Sequence, residues 1–156
     1  MSLDKNRFEK QLSFLIEIDK MKSVFRRTML IDLSRRENDA EHSWHFALTA
    51  LVLCEYAKDD VDITRVIKMA LVHDLVEVYA GDTFAYDEAG YADKEERELK
   101  AADKIFGMLP DDQRDELRAL WDEFEDFNTK ESLSPHPLEE VSSEIFSLPK
   151  HLHPYF

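Results

Sequence analysis

Three side chains in this sequence are suited to holding a metal ion: His42, His73 and Asp74. His73 and Asp74 are adjacent inside an apolar run, Ala70-Leu71-Val72-His73-Asp74-Leu75-Val76, that reads as part of a buried helix. A histidine beside a carboxylate in such surroundings is costly unless both have partners. A divalent cation is the natural partner, because imidazole nitrogen and carboxylate oxygen suit Mn, Fe, Co, Ni or Zn. Adjacent residues on a helix project about 100° apart, so the pair can converge on one ion beside the helix. Glu77 follows one turn after Asp74 on the same face, where it could hold or deprotonate a metal-bound water. Asp82 lies just past the end of this segment, and His42 opens another helix that can approach from a second side.

Taken singly, each residue has a plainer explanation. A histidine in an apolar helix is more often a satisfied core residue than a ligand, and a His-Asp dipeptide arises easily by chance. Glu77 would otherwise be a solvated edge and Asp82 a loop residue. His45 reads as structural, and Arg35 and Arg36 as surface charges or salt-bridge partners. It is the set as a whole that favours a metal.

The elements that must position these groups are helices. Phe8, Leu12, Leu15, Ile18 and Met21 recur at helical intervals and predict an amphipathic first helix. Residues 23–38 break the period, contain no alternation of strand length, and carry Arg26, Arg27, Arg35 and Arg36; they read as an irregular connector. Asn38-Asp39 is a helix start signal with Asp39 as N-cap. The second helix then runs over about 40–58, with Trp44, Ala47, Leu48, Leu51, Val52 and Tyr56 on its apolar side. A third opens at Asp62 or Thr64, is apolar almost all round, and ends near Gly81. After a loop, a charged helix over 93–106 faces in with Leu99, Ala102 and Ile105, and a fifth after Pro110 does so with Leu117, Leu120, Trp121 and Phe124. From Asn128 onward Pro135, Pro137, Pro149 and Pro154 interrupt any long helix. The tail is expected to be irregular, with at most a short helix near 138–145. The fold class is therefore all-α: a single helical bundle of about five to six helices over residues 1–127, and an atypical tail over 128–156.

Bulk properties narrow the partners. A chain of 156 residues fits one domain with a real core. Only three glycines argue against a β-rich fold and against a glycine-rich phosphate loop. A net charge of −14 with no Lys/Arg run disfavours nucleic acid. A phosphate handled by so acidic a protein must be neutralised locally, by a metal ion or a few placed arginines. Cys54 has no partner for an internal disulfide. The sequence shows no signal-peptide core and no run of about eighteen apolar residues, so the expectation is a cytoplasmic protein that does not engage membranes.

Beyond these readings, the chain resembles the HD-domain phosphohydrolases, and within them the branch of bacterial 5′-deoxynucleotidases and their eukaryotic homologues. The matching pieces are Arg27-Thr28, then Arg36-Glu37-Asn38-Asp39-Ala40-Glu41-His42-Ser43, then Ala70 to Glu77 and Gly81-Asp82. A charged helix and Leu109-Pro110-Asp111-Asp112 follow, so the resemblance spans roughly residues 8–127. It implies an α-helical HD fold and one divalent transition metal held by His42, His73, Asp74 and a final aspartate on a late helix. Glu139 falls close to the place of that last ligand, in a proline-flanked stretch unlike the family's helix. The resemblance further implies hydrolysis of nucleoside 5′-monophosphates with a preference for deoxyribose, and a homodimer. Arg27 would hold the phosphate, Glu77 would act near the attacking water, and Asp82 would help position substrate. Thr28 stands where a tryptophan often follows the arginine. The alternatives are an HD hydrolase of another nucleotide phosphate ester, or a degenerate HD protein that binds metal or nucleotide without turnover.

Overall fold

The computed structural model describes residues 4–56, 61–81, 94–126 and 129–133. Asp4 starts the first helix, α1 (Lys5–Ile18), by accepting the Arg7 backbone N–H at 3.1 Å. A 3-10 turn over Asp19–Ser23 then carries the chain into β1 (Phe25–Met29), which pairs antiparallel with β2 (Arg36–Asn38). This hairpin corrects the expectation of an irregular connector. Its strands are short, and their inward positions hold Arg26, Thr28 and Glu37 in place of apolar residues, so no hydrophobic alternation announces them. The registers Phe25 opposite Asn38 and Met29 opposite Arg36 differ by a bulge-like irregularity between them.

The helix α2 (Asp39–Val52) is capped by Asn38 and not by Asp39. Asn38 accepts the Glu41 N–H at 3.0 Å while the Glu41 carboxylate reaches back to the Asn38 N–H, which completes a capping box. Asp39 thus moves into the first turn, where it is wholly buried. The inward face of α2 is Asp39, His42, Ser43, Phe46, Ala47 and Ala50. Of the side expected to be buried, only Ala47 is; Trp44 is 62% exposed, and Leu48, Leu51, Val52 and Tyr56 also face outward. On α1 the same reversal occurs, since Phe14 is buried while Phe8, Leu12 and Leu15 are exposed.

Asp62 caps α3 (Ile63–Val72), which buries Val66, Met69, Ala70 and Val72 and exposes Thr64, Lys68 and Leu71 along one stripe. Its interior position was foreseen, but the helix does not run on to Gly81. It tightens into a 3-10 turn at His73–Val76, resumes as α4 (Glu77–Ala80), and stops at Gly81 with φ 76° and ψ 153°. That conformation is almost confined to glycine. The helices α5 (Lys94–Phe106) and α6 (Asp111–Asp126) close the bundle with Ala101, Ala102, Ile105 and Phe106 on one side and Leu120, Trp121 and Phe124 on the other. Phe46, Met69, Ile105, Phe106 and Leu120 are the largest apolar side chains shut off from solvent, each contributing about 1.5–3 kcal/mol by burial.

A short helix, α7 (Lys130–Leu133), packs on α3 and α6 through Ser132, which is fully buried and hydrogen-bonds Thr129. It falls within the stretch expected to be irregular. The helix expected near 138–145, and with it Glu139, lies outside the described residues. The fold class is all-α, as the periodicities predict, with the two-stranded hairpin as its only sheet among the described residues. No described helix is long and apolar enough to cross a membrane.

Candidate metal centre

His42 and the His73-Asp74 pair come together although thirty residues separate them in sequence. The capping box fixes where α2 begins and so points His42, one turn in, at the end of α3. The switch from α to 3-10 winding at residue 73 lets His73 and Asp74 turn toward the same spot. One ligand atom from each of His42, His73 and Asp74 lies within 4.8 Å of the others, and all three residues are buried.

His73 carries a further constraint. Its Nδ1 lies 2.9 Å from the Ala70 carbonyl, so that nitrogen donates its proton there and Nε2 keeps its lone pair. Nε2 faces the Asp74 carboxylate at 3.2 Å, is buried, and makes no hydrogen bond among the described residues. An imidazole lone pair and a carboxylate oxygen at that separation repel unless a proton or a metal cation sits between or beside them. Phe46 meets the His73 ring edge-on at 5.4 Å and Phe124 lies 4.9 Å from it, which fixes the ring and keeps water from its sides. A buried His, His and Asp set of this kind fits a divalent transition metal.

Around this trio the charges are arranged in layers. Burial pushes the Asp74 carboxyl up, but the positive charge of His73 in its protonated form and that of Arg26 outweigh burial and hold it below the usual carboxylate range. Arg26 donates to Asp74 Oδ2 at 2.7 Å and lies 4.0 Å from Asp39 Oδ1. Burial, then Asp74 and Asp39, push the Glu77 carboxyl the other way, well above its ordinary value. Glu77 Oε2 is buried and makes no hydrogen bond among the described residues. Glu37, 2% exposed, lies behind His42 with Oε2 3.5 Å from Nδ1.

Of the residues expected at the site, His42, His73, Asp74 and Glu77 lie in this one region. Arg27 does not: strand alternation turns it to the exposed face of β1 and presents Arg26 to Asp74. Thr28 shares the inward face with Arg26 and reaches Glu37 at 3.5 Å. Asp82 and Glu139 lie outside the described residues. His45 is half-buried and contributes to a separate surface depression with Leu48 and Val52, and Arg35 pairs with Glu41 at 2.6 Å. Reading the sequence alone missed Arg26, Glu37 and Asp39. The signal for Asp39 was present, since an acid three residues before His42 shares its helical face. For Arg26 and Glu37 the signal would have been a hairpin, which the arginine-rich stretch concealed.

The sequence profile of the HD domain family matches residues 18–150. The chain is similar to the human 5′-deoxynucleotidase HDDC2, 33% identical over 123 residues that make up 78% of this chain and 58% of the human protein. The mouse protein of the same name is 32% identical over 122 residues, or 78% of this chain and 60% of the mouse protein. The chain thus spans less than two thirds of the length of these relatives. Among solved structures, a predicted metal-dependent phosphohydrolase from Magnetospirillum magnetotacticum MS-1 is 50% identical and superimposes with a TM-score of 0.87, covering 93% of this chain and 72% of that one. A conserved hypothetical protein from Pyrococcus furiosus shares the fold alone, at 24% identity and a TM-score of 0.68, covering 91% of this chain and 83% of its own. The buried His, His and Asp constellation is thus set in a chain whose profile match covers well over half its length, and the chain belongs to the HD domain family.

Proposed function

We propose that this chain is a metal-dependent phosphohydrolase that releases phosphate from nucleoside 5′-monophosphates and prefers the deoxy forms. The observation that carries the metal-dependent part is His73 Nε2 facing Asp74 Oδ2 at 3.2 Å, both buried, with a ligand atom of His42 within 4.8 Å of them. The nucleotide part rests on the named activity of relatives whose length this chain spans only in part.

His42, His73 and Asp74 would hold one divalent transition metal, of the group Mn, Co, Fe, Ni and Zn; the resemblance implies a further aspartate ligand, close to whose place in the sequence Glu139 falls. Such an ion, when bound, polarises a phosphoryl oxygen and lowers the pKa of a coordinated water. The protein's own groups do the rest. Arg26 offers charge-assisted hydrogen bonds to the phosphate oxygens and supplies the local positive charge that an acidic protein needs. In this reading Arg26 takes the role first given to Arg27, with Thr28 on the same face of the strand. Glu77, held protonated beside Asp74 and Asp39, is placed to orient the attacking water or to give its proton to the departing 5′-oxygen. Asp82 would position the sugar or phosphate.

The test is phosphate release from a panel of ribo- and deoxyribonucleoside 5′-monophosphates, with Mn or Co restored after EDTA stripping. Metal-dependent release that favours deoxy substrates is expected. No release from folded, metal-loaded protein would overturn the reading.

We also infer that two copies associate through the outward stripe of α2, where Trp44, Leu48, Leu51 and Val52 are all exposed. Leu51→Glu should shift the mass measured by light scattering from dimer to monomer; a monomeric parent protein would refute this.

A further inference from the structure

The hairpin is an unexpected element in a helical protein, and its inward face holds three polar side chains, Arg26, Thr28 and Glu37. Arg26 is accounted for by Asp74. Glu37 is not: it buries a carboxylate almost completely, at 2% exposure, within a chain that has thirty-four acids and ample surface for them. Such burial is costly unless the group has fixed partners. Two are in place. The Met29–Arg36 register sets Thr28 opposite Glu37, and its hydroxyl donates to Oε2 at 3.5 Å. On the far side the same oxygen lies 3.5 Å from Nδ1 of His42, a ring that is itself only 4% exposed.

We propose that Glu37 is a positioning residue for the metal centre. It accepts the Nδ1 proton of His42, holds the ring in the Nδ1–H form, and aims the Nε2 lone pair at the point shared with His73 and Asp74. A neutral imidazole has one N–H, so fixing the proton on one nitrogen fixes the other as the ligand atom. His73 receives the same treatment from a neutral acceptor, the Ala70 carbonyl. Glu37 offers a side-chain carboxylate oxygen where His73 has the backbone carbonyl. The hairpin is then a platform behind the centre: Thr28 steadies Glu37, Glu37 orients His42, and Arg26 neutralises Asp74. This role rests on the metal reading given above.

Two measurements on the full chain test it. Long-range 15N–1H correlation spectra of the metal-free protein report which nitrogen of His42 carries the proton, and chelator competition with Co2+ alone reports metal affinity. The parent protein should show His42 protonated on Nδ1. Glu37→Gln keeps the volume and an acceptor oxygen, so it should keep its unfolding temperature in EDTA yet bind Co2+ about 10-fold more weakly. Glu37→Ala should release the tautomer of His42, leave that of His73 unchanged, and weaken Co2+ by up to about 100-fold. Finding His42 protonated on Nε2 in the parent, or parental Co2+ affinity in Glu37→Gln, overturns the positioning role and leaves the metal reading standing. A parent protein with the expected tautomer that binds no Co2+ overturns both, and the failure is then traced to the metal reading.

Discussion

Strand register sets which of two adjacent arginines faces Asp74, and the consequence can be measured. Arg26 donates to Asp74 at 2.7 Å, with side-chain exposures of 19% and 9%. Removing one member of a fully buried ion pair costs about 3–5 kcal/mol, because the other charge is left unpaired, whereas an exposed pair contributes about 0–1 kcal/mol. With about a fifth of the arginine open to solvent, Arg26→Met should cost about 2–3 kcal/mol between those limits. Methionine keeps the aliphatic stem, so the loss reports the charge. With a urea dependence near 2 kcal/mol/M, the midpoint in EDTA should fall by about 1–1.5 M. Arg27→Met, on the exposed face, should move it by no more than about 0.3 M, since surface changes stay within about 0.5 kcal/mol.

A saturating divalent cation should shrink the Arg26→Met deficit, because the ion then supplies the positive charge that Asp74 lacks. The kinetic arm has its own magnitude. Loss of a charge-assisted hydrogen bond to phosphate, about 1.5–3 kcal/mol, lowers kcat/KM by about 10- to 150-fold. Urea unfolding monitored through Trp121, with and without metal, and phosphate release by both variants make up the assay. The reasoning fails if Arg27→Met is the more damaging change, or if the Arg26→Met deficit is the same in EDTA and in excess metal.

Three further expectations follow from the same geometry. Glu77 titrates well above the ordinary carboxylate range in the metal-free fold, so the folded state keeps a proton that the unfolded chain releases. Its contribution to stability is complete below the unfolded value and declines as pH rises toward the folded one. In EDTA, urea midpoints of the parent should therefore fall from about pH 5 upward, and Glu77→Gln should flatten that fall; parallel slopes would contradict it. Metal at a hundred times its Kd should stabilise the parent by about 2.7 kcal/mol, or about 5–10 °C for a chain of this length. His73→Ala should abolish that shift, and a full shift in the variant would place the ion elsewhere. Gly81→Ala adds a Cβ that meets nothing within 4 Å among the described residues beyond its chain neighbours, yet the residue sits at φ 76° and ψ 153°. Backbone strain alone should cost about 1–3 kcal/mol, and an unchanged melting temperature would show that the turn relaxes freely.

How much of this was legible in the sequence depends on what each residue has to do. His42, His73, Asp74 and Glu77 could be found because their chemistry is peculiar in an apolar setting, and no tertiary detail was needed to notice it. The face of α2 could not be found by hydrophobicity, and the reason is the site itself. A helix that carries His42 into the buried cluster with His73 and Asp74 buries Asp39 and Ser43 beside it, so Phe46 is the one large apolar side chain on its inner face while Trp44, Leu48 and Leu51 lie outside. The larger side chains then point to the wrong side. Arg26 against Arg27 is a harder case, because both residues have the right chemistry and differ only by one position on a strand. A shift of one residue reverses which face each occupies, and that register is set by pairing with β2, where Asn38 lies opposite Phe25 and Arg36 opposite Met29. Residue type can nominate the groups for a site such as this one, but only the pairing of distant segments can choose between neighbours.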